Sequence, residues 1–260
     1  MLGIMPKLAA NVSMLFAHLD FLDRFAAAAR AGFRFVEYQF PYAWPAQEVA
    51  RRAREAGVEV VLHNLPAGDM AKGERGIACL PGRAQEFRAG VERAIEYAKA
   101  VSCPRLNCIA GLGPRDAPHT AQLVENVRYA ARRVGEVGMQ LLIEPINTRT
   151  VPGFFLTGSR QAIDVLNAAG EGNAFLQYDM FHMQIMEGDL AHTIERLLPR
   201  IGHMQLADVP GRNEPGSGEI NFEFLLAHID ALGYAGWIGC EYNPRGDTLE
   251  GLKWARAYLS

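Results

Sequence analysis

The chain has 260 residues, of which 49% are apolar and 21% charged, an ordinary folded-protein composition that excludes a wholly disordered chain. A net charge of −3 and an isoelectric point near 6.2 argue against nucleic acid or an anionic membrane as the main partner. No stretch approaches the ~20 uninterrupted apolar residues of a membrane span.

Met1 to Phe16 has some features of a secretion signal, but Lys7, Asn11 and Ser13 interrupt its apolar run and no small-residue cleavage site is clear. It reads instead as the first strand, over 8–14, and the expected location is the cytoplasm. Further short runs rich in Val, Ile, Leu and Phe predict strands over 33–38, 58–63, 104–109, 139–144, 173–179, 201–206 and 236–241. A helical pattern follows each strand, over 20–31, 46–56, 83–101, 119–135, 159–169, 189–198, 221–232 and 248–258. In the first of these, Asp20 is placed to cap the N-terminus and Gly32 to end the helix.

Eight strand–helix units imply a parallel sheet with right-handed crossovers, and eight strands close a barrel. A (β/α)8 TIM barrel usually takes roughly 250 residues, so the whole chain, 1–260, is expected to form one α/β barrel domain. An open sheet with a nucleotide fingerprint is the competing architecture. Gly111-Leu112-Gly113 runs into Pro114 with no third glycine, and there is no Walker A loop, HExxH or GxSxG. Long connections, Asn64 to Pro81, Pro145 to Gly158 and Ala207 to Ile220, all follow strands, which places them on the catalytic face of a barrel. The cysteines, Cys79, Cys103, Cys108 and Cys240, form no CxxC pair and read as free thiols of a reducing compartment.

Several strands end in a polar group directly after an apolar run. Glu144, Asp179, Gln205 and Glu241 do so, as do Glu37 and His63. Parallel barrel strands bring their C-terminal ends to one rim, so residues ~100 positions apart converge there. Gathered carboxylates raise one another's pKa or recruit a cation. Two Glu, one Asp and one amide oxygen form a hard donor set that favours Mg²⁺ or Mn²⁺ over Zn²⁺. Glu144, Asp179, Gln205 and Glu241 are therefore the candidate metal ligands. The alternative for each acid is a salt bridge or a helix cap. His182, three residues after Asp179, would stand beside a bound substrate, or else be a loop histidine bonded to a carbonyl.

These residues belong to a series of segments: Ala10 to Phe16, Phe40-Pro41-Tyr42, His63 to Asp69, Gly73 to Ala78, Glu144 to Asn147, Tyr178 to Gln184, Pro210 to Asn221 and Gly239 to Tyr242. In this order the series resembles the xylose-isomerase-like metal-dependent barrels, and more closely the hydroxypyruvate isomerase family. The resemblance covers nearly the whole chain. It implies reversible interconversion of hydroxypyruvate and tartronate semialdehyde, within glyoxylate metabolism, with Glu144 and Glu241 as the acid/base pair. It also leaves open the 2-oxo-tetronate isomerases, which act on a substrate one carbon longer. One departure is Asn243, where the family pattern suggests a lysine before the proline.

Such a reaction moves a proton between adjacent carbons through an enediolate, whose charge a divalent ion would stabilise. The substrate carboxylate calls for a cationic partner, for which Arg212 and Arg245 are candidates, with His63 and His182 as further substrate contacts. The expected partner is thus a small hydroxy or keto acid, with homo-oligomerisation possible and no nucleic acid or membrane. A sugar or keto-acid epimerase, a phosphodiester-cleaving endonuclease and a non-enzymatic acid-sensing barrel are the competing readings. Gln205, where an endonuclease would carry a histidine, and the acidic isoelectric point count against the endonuclease.

Overall fold

A computed structural model describes residues 6–259. Its strands are β1 (Lys7–Asn11), β2 (Phe35–Glu37), β3 (Glu59–Asn64), β4 (Arg105–Cys108), β5 (Gln140–Ile143), β6 (Ala174–Asp179), β7 (Ile201–Leu206) and β8 (Trp237–Cys240). They pair in parallel and in sequence order, and β8 closes on β1 with Lys7 opposite Trp237 and Ala9 opposite Gly239. The helices between and after them are α1 (Arg24–Arg30), α2 (Ala46–Ala56), α3 (Ala84–Val101), α4 (Ala117–Gly135), α5 (Ser159–Ala169), α6 (Met180–Met186), α7 (Leu190–Leu197), α8 (Phe222–Ala231) and α9 (Thr248–Gly251). Among the described residues, no helix is long and apolar enough to cross a membrane.

The expected barrel is present, with local differences. β1 stops at Asn11 rather than 14, because the Asn11 side chain accepts a hydrogen bond from the Ser13 N–H (3.1 Å) and turns the chain. The first helix opens as a 3₁₀ turn over Phe21–Asp23, and the Asp20 side chain makes no capping bond. Gly32 does follow its end, at φ +97°. α6 was not expected. Its sequence, Met-Phe-His-Met-Gln-Ile-Met, has no clear apolar stripe, and its start is set by Asp179, whose Oδ1 accepts from the N–H groups of Phe181 (2.8 Å) and His182 (3.4 Å). The final helix is a single turn followed by a 3₁₀ segment, Leu252–Ala255.

Side chains alternate between the inside of the barrel and the helix layer, as the two-residue period of a strand requires. Outward residues such as Leu106, Leu141, Ile143, Tyr178, Leu206 and Ile238 pack against the helices in the main core. Inside, Ala9, Val61, Leu62 and Leu142 form a separate apolar floor with Phe35, Phe175 and Trp237; Val61 and Leu62 both reach it because the β2–β3 register shifts there, Val36 facing Val60 and Glu37 facing Leu62. Arg105 lies over the Trp237 ring at 4.2 Å.

Two residues further along several strands, the interior turns polar. Glu37, fully buried, receives hydrogen bonds from Asn11 Nδ2 (2.9 Å), Gln205 Nε2 (2.7 Å) and His203 Nε2 (2.6 Å). This carboxylate occupies space that β8 vacates: a β-carbon at Gly239 would collide with both Glu37 carboxylate oxygens. Gly239→Ala is therefore expected to destabilise the fold by about 1–3 kcal/mol through overpacking. Chemical denaturation would measure it, with Glu37→Ala expected to reduce the penalty of the second change in a double-mutant cycle.

Candidate active site

The polar interior continues to the C-terminal rim and opens into a cavity of about 230 Å³, lined among others by Glu144, Glu241, His182, Arg212, Asn64 and Arg75. Glu144 directly follows β5, Asp179 ends β6, Gln205 lies within β7 and Glu241 directly follows β8. All four side chains are buried.

Amide donors fix the carboxylates. Glu144 Oε2 accepts from Asn107 Nδ2 (2.8 Å) and Gln177 Nε2 (3.0 Å). Glu241 Oε1 accepts from Gln39 Nε2 (3.0 Å) and Asn11 Nδ2 (3.2 Å). One nitrogen of Arg212, Nη2, bridges Glu241 Oε2 (2.5 Å) and Asp179 Oδ2 (3.3 Å). Gln205 sits one layer back, its Oε1 accepting from Gln177 Nε2 (2.6 Å) while its own amide donates to Glu37. The capping role open to a strand-end acid is thus realised at Asp179 by one oxygen, while the other faces the site.

A single guanidinium paired with this many acids, that of Arg212, leaves the site short of positive charge. Burial, then the charges of Glu241 and Asp179, push the Glu144 carboxyl well above the usual carboxylate range, against opposing effects of Arg212 and Asn107. Burial also pushes Glu241 up, to about 7, although Arg212 opposes it. Arg212 itself is held above its ordinary value: burial disfavours its charge, but Glu241, Asp179 and Glu144 outweigh that. Glu144, Asp179 and His182 each bring one potential ligand atom within 4.8 Å of the others. Hard carboxylate oxygens with surplus negative charge fit a divalent cation, and Glu144 and Asp179 could hold one, with His182 joining only through a deprotonated ring nitrogen.

His182 is held in one tautomer. Its Nδ1 accepts from the Asn147 backbone N–H (3.3 Å) and faces Asn147 Nδ2 at 2.6 Å. The Asn147 amide is oriented in turn, because its Oδ1 accepts from Thr150 N (2.8 Å) and Thr150 Oγ1 (3.1 Å). With Nδ1 an acceptor, the proton of the neutral ring is on Nε2, which lies 3.4 Å from Asp179 Oδ2 and 3.8 Å from Glu144 Oε1. Burial keeps this ring neutral by lowering its pKa to about 4. His182 is therefore a hydrogen-bond donor facing the carboxylates, on the first turn of α6 rather than in a loop.

Two expected contacts lie elsewhere. His63 does not line the cavity. It faces the helix layer, stacked on Tyr38 (5.9 Å between ring centroids) and edge-on to Tyr97 of α3 (5.6 Å), where burial lowers its pKa to about 4. Arg245 is exposed and does not line the cavity either; its backbone N–H donates to Glu214 (3.1 Å). Conversely, Asn11, Gln39, Asn107, Asn147, Gln177 and His203 were not expected at the site. Gln177 and His203 each precede a rim residue by two positions, so the strand period pointed to them.

Comparison with known proteins agrees with this architecture. The model of the xylose isomerase-like TIM barrels matches residues 25–258. The chain is 49% identical over 257 residues to the hydroxypyruvate isomerase of Escherichia coli (strain K12), covering 98% of this chain and 100% of that protein. It is 45% identical over 259 residues to the 2-oxo-tetronate isomerase of Pectobacterium atrosepticum, covering 98% of both chains. A crystal structure titled AP endonuclease, family 2, from Brucella melitensis superposes with a TM-score of 0.96 at 42% identity, over 98% of this chain and 100% of that one.

The Asn147–His182 contact makes a spectroscopic prediction. In ¹⁵N-labelled protein, His182 should show a protonated Nε2 and an unprotonated Nδ1. Asn147→Asp should shift the proton to Nδ1, because a carboxylate there accepts rather than donates. A wild-type spectrum with protonated Nδ1 would contradict this arrangement.

Proposed function

This chain belongs to the xylose isomerase-like TIM barrel family, and on that premise we propose that it is an isomerase interconverting hydroxypyruvate and tartronate semialdehyde. The observation that carries the reading is the facing set of buried carboxyls, two of them shifted upward, beside one oriented imidazole N–H. The two full-length isomerase relatives supply the substrate class.

The reaction needs a group that removes a proton from the hydroxymethyl carbon, a group that delivers one to the neighbouring carbonyl carbon, and passage of the hydroxyl proton from the first oxygen to the second. Glu144 and Glu241 are assigned as this pair. Burial raises both carboxyls above the ordinary carboxylate range, the direction that suits a group taking up a proton. Amide donors on the inner oxygens, Asn107 and Gln177 on Glu144 and Gln39 and Asn11 on Glu241, hold each carboxyl in place while its outer oxygen reacts. His182 Nε2–H is placed to donate to a substrate oxygen as it gains charge. The Arg212 guanidinium offsets the negative charge of Asp179 and Glu241 throughout.

A divalent ion, Mg²⁺ or Mn²⁺, would be held by Glu144, Asp179 and Glu241 with Gln205 as amide ligand, and when bound would supply electrostatic stabilisation of the charge developing on the substrate oxygens. Gln205 would have to release Gln177 to join, and Arg212 would have to yield Asp179 Oδ2 and Glu241 Oε2.

The 2-oxo-tetronate isomerase reading remains as the alternative substrate, since a relative of that name is nearly as similar. Phosphodiester cleavage is not favoured: the carboxylate cluster contains one imidazole, and its negative charge opposes a polyanionic substrate.

Proton NMR in D₂O with Mg²⁺ or Mn²⁺ should show hydroxypyruvate converted with solvent deuterium incorporated, and a chelator should stop it. Glu144→Gln and Glu241→Gln should each lower kcat by roughly 10³-fold or more, at the scale of lost general acid–base catalysis, with unchanged circular dichroism. No conversion by folded protein with any divalent ion would exclude the reaction, and a fully active Glu144→Gln/Glu241→Gln double variant would exclude the assigned pair. A panel including 2-oxo-tetronate ranks the substrates.

A further inference from the structure

The substrate of the proposed reaction carries a carboxylate, and the cavity wall is rich in carboxylates of its own. Its lining contains two guanidinium groups, those of Arg212 and Arg75. Arg212 is engaged by Asp179 and Glu241. Arg75 forms no ion pair among the described residues. Only its Nη1 is in use, on the carbonyls of Glu74 (2.8 Å) and Met70 (3.4 Å), and Nε and Nη2 have no protein partner there.

The backbone around Arg75 is fixed on both sides. Glu74, immediately before it, accepts the Asp69 N–H through Oε2 (2.6 Å) and pairs with Arg83 (2.7 Å), next to the start of α3. Gly76, immediately after it, bridges to Ala110 beyond β4, so closely that any β-carbon there would collide with the Ile109 carbonyl. An arginine on a pinned backbone, with the Nε and Nη2 edge free and a cavity of acids in front of it, is suited to bidentate capture of a carboxylate.

We propose that Arg75 is the specificity residue that binds the substrate carboxylate and so restricts the site to short hydroxy-keto acids over uncharged sugars. The assignment rests on the isomerase reading for its substrate but not for its chemistry, which is recognition of a small carboxylate. The reacting carbons then lie between that anchor and Glu144 and Glu241, which line the same cavity.

Binding and turnover test this separately. Glycerate, which retains the carboxylate and cannot isomerise, is titrated calorimetrically into the metal-loaded protein and into Arg75→Met and Arg75→Lys. The dissociation constant should rise about 30-fold in Arg75→Met, the scale of a lost charge-assisted hydrogen bond, with Arg75→Lys intermediate because it restores a point charge without the fork. With hydroxypyruvate, Arg75→Met should raise KM by a similar factor while kcat changes less than about threefold. Unchanged glycerate affinity in Arg75→Met, no rescue by lysine, or no glycerate binding by the wild type would each overturn the proposal. Glycerate binding that depends on Arg75, without turnover of hydroxypyruvate by the wild type, would leave the anchor standing and remove the isomerase.

Discussion

Charge balance inside the barrel is the constraint on which the rest of the structure depends. Glu37, Glu144, Asp179 and Glu241 project into one enclosed space, and the guanidinium of Arg212 directly pairs with two of them. Carboxylates out of water are tolerated only when their lone pairs are met. The barrel meets them with amides from neighbouring strands, so that Asn11, Gln39, Asn107, Gln177 and Gln205 are all committed to holding acids. What remains unbalanced is concentrated at the rim, where Glu144 and Glu241 line the cavity and burial raises both carboxyls.

Three layers along the barrel axis produce that concentration. The apolar floor of Phe35, Phe175 and Trp237 closes the N-terminal end and lowers the local dielectric response. The middle layer of Glu37, Gln177 and His203 stands on it and orients the rim from below. One strand shows the whole gradient: Phe175, Gln177 and Asp179 of β6 climb from floor to rim in steps of two residues. Such a stack pre-organises the reacting carboxyls, because each is held by groups that are themselves held.

The strands and the rim acids were legible in the sequence because buried parallel strands read as short apolar runs and each acid interrupts such a run at its end. The middle layer was less visible, since a lone Gln or His within a run looks like noise until its two-residue spacing from the rim is noticed. His63 shows the sharper failure. A strand alternates its faces, so a displacement of one position separates the cavity from the helix layer. Asn64 is at the site, bonded to Asn107 (3.2 Å), and His63 is behind the wall among tyrosines. Arg75 and Arg245 differ for another reason. Both lie in loops, and which loop arginine faces the cavity follows from how the loop is tied down, as at Gly76, rather than from any local pattern.

The empty side of Gly239 has a historical consequence. Glu37 and residue 239 share one volume at the centre of the barrel, so their identities are a linked trait. A lineage that acquires any side chain at 239 must first, or at once, give up the full-length acid at 37. Losing that acid strands the donors of His203 and Gln205 in turn. The middle of this barrel is therefore expected to evolve in concerted jumps rather than by single substitutions.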